Sequence, residues 1–323
     1  MVERKAQAIL RRAHQERAQD VYIVPQVEGY SIYLRLGEER VLLDEVDLAQ
    51  GQALLGHFKF AAGMNVGERR RSQLGSCDYA LEQDCLSLRL STVGDYRGLE
   101  SLVIRLLYDG QQPLAFWDWT PQQLSRFIQG RGLYLFSGPV GSGKTSLMYQ
   151  LAKTRFQGRQ ILTIEDPVEI KDPAFLQLQL NKDIGMTYDH LIKLSLRHRP
   201  DLLIIGEIRD TETARAVIRA ALTGISIFST VHARSIPGVY ARLLELEVEP
   251  GELAESLRLV AYQRLIGGKG LVDVAQKEFA QHPATSWNQK VTDLLEAGVI
   301  SQDQAQAEYI GASAGVEDCT TFP

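Results

Sequence analysis

The run Gly138-Pro139-Val140-Gly141-Ser142-Gly143-Lys144-Thr145, followed by Ser146, sets glycine, lysine and hydroxyl groups at the spacing Gly-x-x-x-x-Gly-Lys-Thr. Glycine leaves no Cβ to block backbone N–H groups that must turn toward a phosphate, and a helix opening at Gly143 adds the positive end of its dipole. Lys144 then matches β- and γ-phosphates, and the Thr145 hydroxyl matches Mg²⁺. The motif carries meaning only between a strand and a helix. Both flanks are present: Leu133-Tyr134-Leu135-Phe136 is apolar throughout, and Leu147 and Leu151 recur at helical spacing. The chemistry indicated is binding of Mg-ATP by residues 138–146.

Binding alone hydrolyses nothing; a carboxylate must also hold the metal's waters or polarise the attacking one, from the C-terminal edge of a neighbouring strand. Glu207 directly follows Leu202-Leu203-Ile204-Ile205-Gly206, which reads as a buried strand. Gly206 stands where an aspartate usually precedes that glutamate. A second strand ends in Thr163-Ile164-Glu165-Asp166-Pro167-Val168-Glu169, where Pro167 halts the strand. Glu165 is a candidate for ordering the attacking water or the Mg²⁺ shell, so Thr145, Glu165 and Glu207 are the candidate metal residues. His232, in Ser229-Thr230-Val231-His232-Ala233, ends a third strand, from which it would donate to the γ-phosphate and report its presence. An acidic turn at a strand end and a structural histidine are the plain alternatives for Glu165 and His232.

These motifs require a sheet whose strands end on one edge. Thr120-Pro121-Gln122-Gln123 has the form of a capping box with proline at the first helical position, which predicts a helix over 121–129. Strands are predicted over 132–137, 160–165, 201–207 and 225–231, alternating with helices from 143 and over 188–197, 211–222 and 237–246. Such alternation predicts a mainly parallel sheet covered by helices. Upstream, a charged helix over 1–19, strands over 21–24, 30–36, 86–91 and 102–107, and a helix over 54–64 predict an α+β module. Asp109-Gly110-Gln111-Gln112-Pro113 breaks the pattern. The expected organisation is an N-terminal domain over 1–110, a linker over 111–120, an ATPase domain over 121–270, and a helical segment and tail over 271–323. Small helices are expected over 290–297 and 302–309, with the last dozen residues disordered.

A chain of 323 residues has room for two domains, and its net charge of −5 disfavours a surface built to neutralise nucleic-acid phosphates. Its longest apolar runs are strand-sized, short of the roughly 20 residues that span a bilayer. Charged residues from Glu3 to Arg17 interrupt any apolar core of a secretory signal. A cytoplasmic protein with at most a peripheral membrane role is expected. Three cysteines, Cys77, Cys85 and Cys319, form no C-x-x-C pair and read as reduced thiols.

Taken in order, Gly-x-x-x-x-Gly-Lys-Thr, Glu-Asp-Pro-Val-Glu, Gly-Glu-Ile-Arg-Asp and Ser-Thr-Val-His resemble the motifs of the secretion ATPases of type II secretion, type IV pilus and competence systems. In that family the second is the aspartate box, the third an atypical Walker B motif with glycine before glutamate, and the fourth the histidine box. Residues 18–25, Ala-Gln-Asp-Val-Tyr-Ile-Val-Pro, resemble the family's Ala-Ser-Asp-Ile-His-Ile-Glu-Pro, and Glu68-Arg69-Arg70-Arg71-Ser72-Gln73 its Glu-Arg-Arg-x-Pro-Gln turn. The likeness covers roughly residues 5–267. It implies a RecA-like P-loop ATPase domain with a mainly parallel sheet, preceded by a smaller α+β (PAS-like) N-terminal domain. It also implies Glu207, Glu165 and His232 as catalytic residues, and Arg89 and Arg105 as candidate arginine fingers, with ordinary exposed strand arginines as the alternative.

The resemblance further implies a homohexamer that uses ATP and Mg²⁺ and works on a polytopic membrane platform protein, and so indirectly on pilins, at the inner face of the cell membrane. No direct contact with nucleic acid is expected. Gln263-Arg264-Leu265 is followed by no cysteine before Cys319, so the zinc module of larger relatives has no ligands here. The chain also lacks the tail of retraction ATPases and is similar to the short ATPases of Gram-positive competence pili, which implies pilus assembly for DNA uptake. A retraction ATPase, a nucleotide-dependent regulatory binding protein with little hydrolysis, and a DNA translocase are the competing readings.

Overall fold

The computed structural model describes residues 2–37, 39–81, 85–107, 114–181 and 184–311. The chain divides into two units, Met1–Gln111 and Gln112–Pro323. The pattern-breaking stretch 109–113, the expected disordered tail and Cys319 lie outside the described residues.

In the second unit, strands β7 (Gly132–Ser137), β8 (Ile161–Glu165), β9 (Leu176–Gln179), β10 (Leu202–Ile205), β11 (Ser226–Val231), β12 (Leu257–Ile266) and β13 (Lys269–Ala275) form one sheet in the order β13-β12-β7-β11-β10-β8-β9. The β12–β13 pair is antiparallel and the others are parallel. This is the α/β fold with a mostly parallel sheet that the strand–helix alternation predicts. Both faces are covered, which is why the strands read as unbroken apolar runs. Tyr134, Phe136, Leu202, Ile204 and Phe228 share a core with α3 (Pro121–Ser125) and α4 (Lys144–Arg155). Leu133, Leu135, Leu203, Ile205 and Ile227 share another with α5 (Tyr188–Arg197), α6 (Thr211–Leu222), α7 (Ile236–Glu245) and α8 (Pro250–Ser256).

Local signals explain several boundaries. The capping box forms, with Gln123 N donating to Thr120 Oγ1 at 3.2 Å and Thr120 N donating to Gln123 Oε1 at 2.8 Å, but regular helix ends at Ser125 rather than 129. Gly267 and Gly268, both at positive φ (56° and 78°), make the two-residue turn from β12 into β13. The region from residue 271, read as helical from its composition, therefore opens as strand before α9 (Ala284–Glu296) and α10 (Gln302–Glu308). Trp287 and Val291 of α9 join the sheet's core, and Glu308 of α10 pairs with Arg264 of β12.

In the first unit, β1 (Asp20–Pro25), β2 (Tyr30–Leu36), β3 (Glu39–Val46), β4 (Gln73–Ala80), β5 (Cys85–Gly94) and β6 (Glu100–Leu107) form an antiparallel sheet in the order β3-β2-β1-β6-β5-β4. Alternation turns Val21, Ile23, Ile32, Leu34, Leu88 and Ile104 to one face, where they pack with α1 (Val2–Gln15) and α2 (Leu48–Ala61). α2 begins at Leu48 because Asp47 caps it, accepting from Gln50 N at 2.8 Å. The strands missing from the sequence reading, β3 and β4, are the sheet's edges, and their mostly exposed side chains give no apolar alternation.

Lys59 on α2 is buried, and its ammonium donates to both Glu100 carboxylate oxygens at 2.7 and 2.8 Å and to the Glu68 carbonyl at 2.6 Å. Removing one member of such a pair leaves the other charge in a low dielectric, at a cost of about 3–5 kcal/mol, whereas an apolar pair of similar volume is often tolerated. Glu100→Ala is expected to lower the denaturant midpoint of the full chain, and Lys59→Met with Glu100→Leu to recover most of the loss. An unchanged midpoint for Glu100→Ala would show that the pair contributes nothing.

Candidate active site

Parallel pairing brings four strand ends to one edge. Ser137 of β7 lies opposite Val231 of β11, Ser229 of β11 opposite Ile205 of β10, and Ile205 opposite Ile164 of β8. The glycine loop, His232, Glu207 and Glu165 leave the sheet from these ends. Because β11 sits between β7 and β10, His232 emerges between the glycine loop and Glu207.

The loop is shaped by a close approach of β12. Gly138 and Gly143 have φ of 145° and 82°. A Cβ at Gly138 would come within 2.1 Å of the Gln263 carbonyl oxygen, and one at Gly143 within 2.8 Å of Gln263 Nε2 and of Leu114 Cδ2. Both positions thus call for glycine by conformation, and Gly138, facing a backbone carbonyl, for space as well. Gln263 is 1% exposed and donates from Nε2 to the Ser142 carbonyl at 2.6 Å. Lys144 opens α4 with Nζ donating to the Gly138 and Pro139 carbonyls at 3.0 and 2.7 Å. Burial pushes the Lys144 pKa below the usual lysine range, against the opposing pull of Glu207 and Glu169. Gly141 and Val140 form the exposed crown of the loop, while Thr145 and Ser146 are half-buried in the first turn of α4.

Glu207 is largely buried, pairs with Arg209, and lies 3.6 Å from His232 Nε2. The histidine's turn is tied to both neighbours: Ala233 N donates to Ser137 Oγ at 3.2 Å, and Thr230 Oγ1 donates to the Gly206 carbonyl at 2.8 Å. Gly206 has a steric reason. A Cβ there would lie 3.1 Å from Tyr188 Oη and 3.5 Å from Glu165 Cα, so a larger residue would press on the tyrosine hydroxyl, which would have to give slightly. Glu165 faces inward. Its Oε1 accepts from Tyr149 Oη and from Thr163 Oγ1, each at 2.6 Å, and burial raises its pKa against those two bonds.

The carboxylate that accepts from the Thr145 hydroxyl is Glu169, at 3.2 Å. Sequence reasoning took Glu169 only as part of an acidic run and Gln263 only as a landmark. Neither carries a local signal, because one is placed by the return of a loop and the other by the pairing of β12 with β7. Arg89 and Arg105 lie in the first unit, opposite each other on β5 and β6, and Arg105 Nε donates to Asp20 Oδ1 at 2.8 Å. Among the described residues, no group of three or more His, Cys, Asp or Glu side chains is arranged to hold a metal ion.

Residues 1–304 match the family model for the Type II/IV secretion system protein. The chain belongs to the type II/IV secretion-system ATPase family. It is 58% identical over 313 residues to the competence protein ComGA of Streptococcus pneumoniae, a match covering 97% of this chain and 100% of that one. It is 38% identical over 275 residues to ComGA of Bacillus subtilis, covering 82% of this chain and 76% of that one. The fold is similar to that of the pilus retraction motor PilT with bound ADP, at a TM-score of 0.74 and 20% identity over 94% of this chain and 96% of that one. The ATPase DotB of Legionella pneumophila gives a TM-score of 0.71 at 17% identity, covering 93% of each chain.

In this secretion-ATPase chain, Gln263 ranks beside the glycines as a determinant of loop shape. Gln263→Leu leaves the Ser142 carbonyl without its buried donor, at a cost of about 1–3 kcal/mol. We expect a fluorescent ATP analogue to bind about tenfold more weakly to the variant, with the circular-dichroism spectrum unchanged; unaltered affinity would show that the loop holds its shape without the glutamine.

Proposed function

We propose that the protein hydrolyses Mg-ATP as a homohexameric motor whose work assembles a competence, type IV-like pilus for DNA uptake. The observation that carries this reading is the convergence of Lys144, Thr145, Glu207 and His232 on one sheet edge, in a chain 58% identical to a competence protein. In this reading the second unit is a RecA-like ATPase domain and the first a PAS-like α+β domain. The motor acts from the cytoplasm on a polytopic membrane platform protein, and through it on pilins.

The residues suit the nucleotide. Glycines stand where any Cβ would strike Gln263, Lys144 Nζ reaches the carbonyls of its own loop, and Ser142 Oγ is buried with no partner. Mg²⁺ keeps several of its waters and takes few protein ligands, so one hydroxyl with carboxylates nearby fits it better than a three-carboxylate cage would. Thr145 would hold the ion, with Glu165, Glu169 and Glu207 ordering waters around it. When bound, Mg²⁺ draws charge from the transferring phosphate.

The chain's own groups do the rest. Lys144 exchanges loop carbonyls for phosphate oxygens, and Glu207 orients the attacking water. His232, close to Glu207, is placed to donate to the γ-phosphate and to lose that bond once the phosphate leaves, which gives the site two distinct states. Arg89 and Arg105 are the candidate arginine fingers. Lys144→Ala is expected to abolish binding of ATP. Glu207→Gln should bind it normally and turn over on the order of 100-fold more slowly, or less. Single-turnover assays on the purified full chain check both, and a Glu207→Gln protein with normal turnover would remove this mechanism.

A further inference from the structure

One stripe of α4 faces the acidic segment 165–172. Thr145, Tyr149 and Lys153 recur every four residues, which stacks them on one side of the helix. Each meets a different carboxylate. Thr145 Oγ1 donates to Glu169 Oε2 at 3.2 Å, Tyr149 Oη donates to Glu165 Oε1 at 2.6 Å, and Lys153 Nζ pairs with Asp172 Oδ2 at 2.6 Å. Gln177 of β9 closes the arrangement from the other side. Its Nε2 donates to Tyr149 Oη and to the Ile170 carbonyl, both at 2.8 Å, and its Oε1 accepts from Asp172 N at 2.8 Å.

Tyr149 and Glu165 are each 3% exposed, so their bond forms in a low dielectric, where it is strong and fixes orientation. The hydroxyl donates to Glu165 and accepts from Gln177, so both of its hydrogen-bonding roles are filled. The ring also packs against Phe175, with centroids 5.2 Å apart, which is the contact expected of an ordinary core tyrosine. Core packing accounts for the ring but not for the two polar partners of its buried hydroxyl, Glu165 and Gln177.

We propose that Tyr149 is a positioning residue of the ATPase reaction, fixing the Glu165 carboxylate and, with Gln177, holding the acidic segment against the helix that carries Lys144 and Thr145. The proposal rests on ATP hydrolysis being the activity of the site. Under it, the first turn of α4 and the acidic segment move as one body, so phosphate contacts made at Lys144 and Thr145 are felt at Glu165.

Tyr149→Phe keeps the ring and its contact with Phe175 and removes only the hydroxyl. Turnover, affinity for a fluorescent ADP analogue and melting temperature are to be measured on the full chain for Tyr149→Phe, Glu165→Gln and the double variant. The expected result is a fall in kcat of about tenfold for Tyr149→Phe, with ADP affinity within about twofold of wild type, and a double variant no slower than Glu165→Gln alone. Gln177→Leu, which leaves the tyrosine in place, should show the same non-additivity with Glu165→Gln. A kcat for Tyr149→Phe within about twofold of wild type, or losses that simply multiply in the double variant, would overturn the proposal. Wild-type protein without Lys144-dependent turnover would remove the ATPase reading and this proposal together; turnover that survives both new variants removes this proposal alone.

Discussion

The parallel pairing of β7, β11, β10 and β8 is the constraint on which the rest of the second unit depends. The helical crossovers between these strands make them run parallel, and every loop leaving a strand's C-terminal end then emerges on the same edge. Register is then set by the two cores. Successive residues of each strand face opposite helical layers, so a slip of one residue would exchange Tyr134 and Phe136 with Leu133 and Leu135 and bury each set against the wrong helices. The volumes that fill the cores therefore also decide that Ser137 stands level with Val231, and hence that Lys144, His232 and Glu207 meet.

Two close approaches refine that geometry, and both are made by removing side chains. The Gln263 backbone sits where a Cβ of Gly138 would be, and Tyr188 Oη lies against the position of a Gly206 Cβ. The first presses β12 against the start of the glycine loop, so that Gln263, 121 residues from the Ser142 it bonds, becomes part of its wall. The second is milder, since a Cβ at Gly206 would press only on the Tyr188 hydroxyl of α5, which would have to give slightly.

The features legible in the sequence were those that one segment encodes by itself. The glycine loop, the buried runs before Glu165, Glu207 and His232, and the capping box at Thr120 each sit in a short window with its own physical signal. The strand–helix alternation was legible for the same reason and gave the mostly parallel sheet. What escaped depends on partners distant in the chain. β3 and β4 are exposed edges held by their neighbours, β9 is four residues long, and β12–β13 hides its turn in two adjacent glycines within a stretch taken as the end of a domain. Gln263 and Glu169 belong to the same class: a neutral side chain and one acid among several, distinguished only by what folding brings against them.

Charge at the sheet edge sets a further condition on any nucleotide that binds there. Glu169 and Glu207 stand near enough to act on Lys144, Glu169 also accepts from Thr145, and Arg209 is already paired with Glu207. Two like charges 4 Å apart cost about 4 kcal/mol at the effective dielectric of a protein surface. In the reading proposed above, these carboxylates would attract a divalent cation and its hydration shell, which would favour the metal complex of the nucleotide over the free anion. Burial makes the Lys144 ammonium costly to keep charged, and a phosphate beside it reverses that cost. Under the same proposed reading, metal and lysine would act on the same charge from two sides.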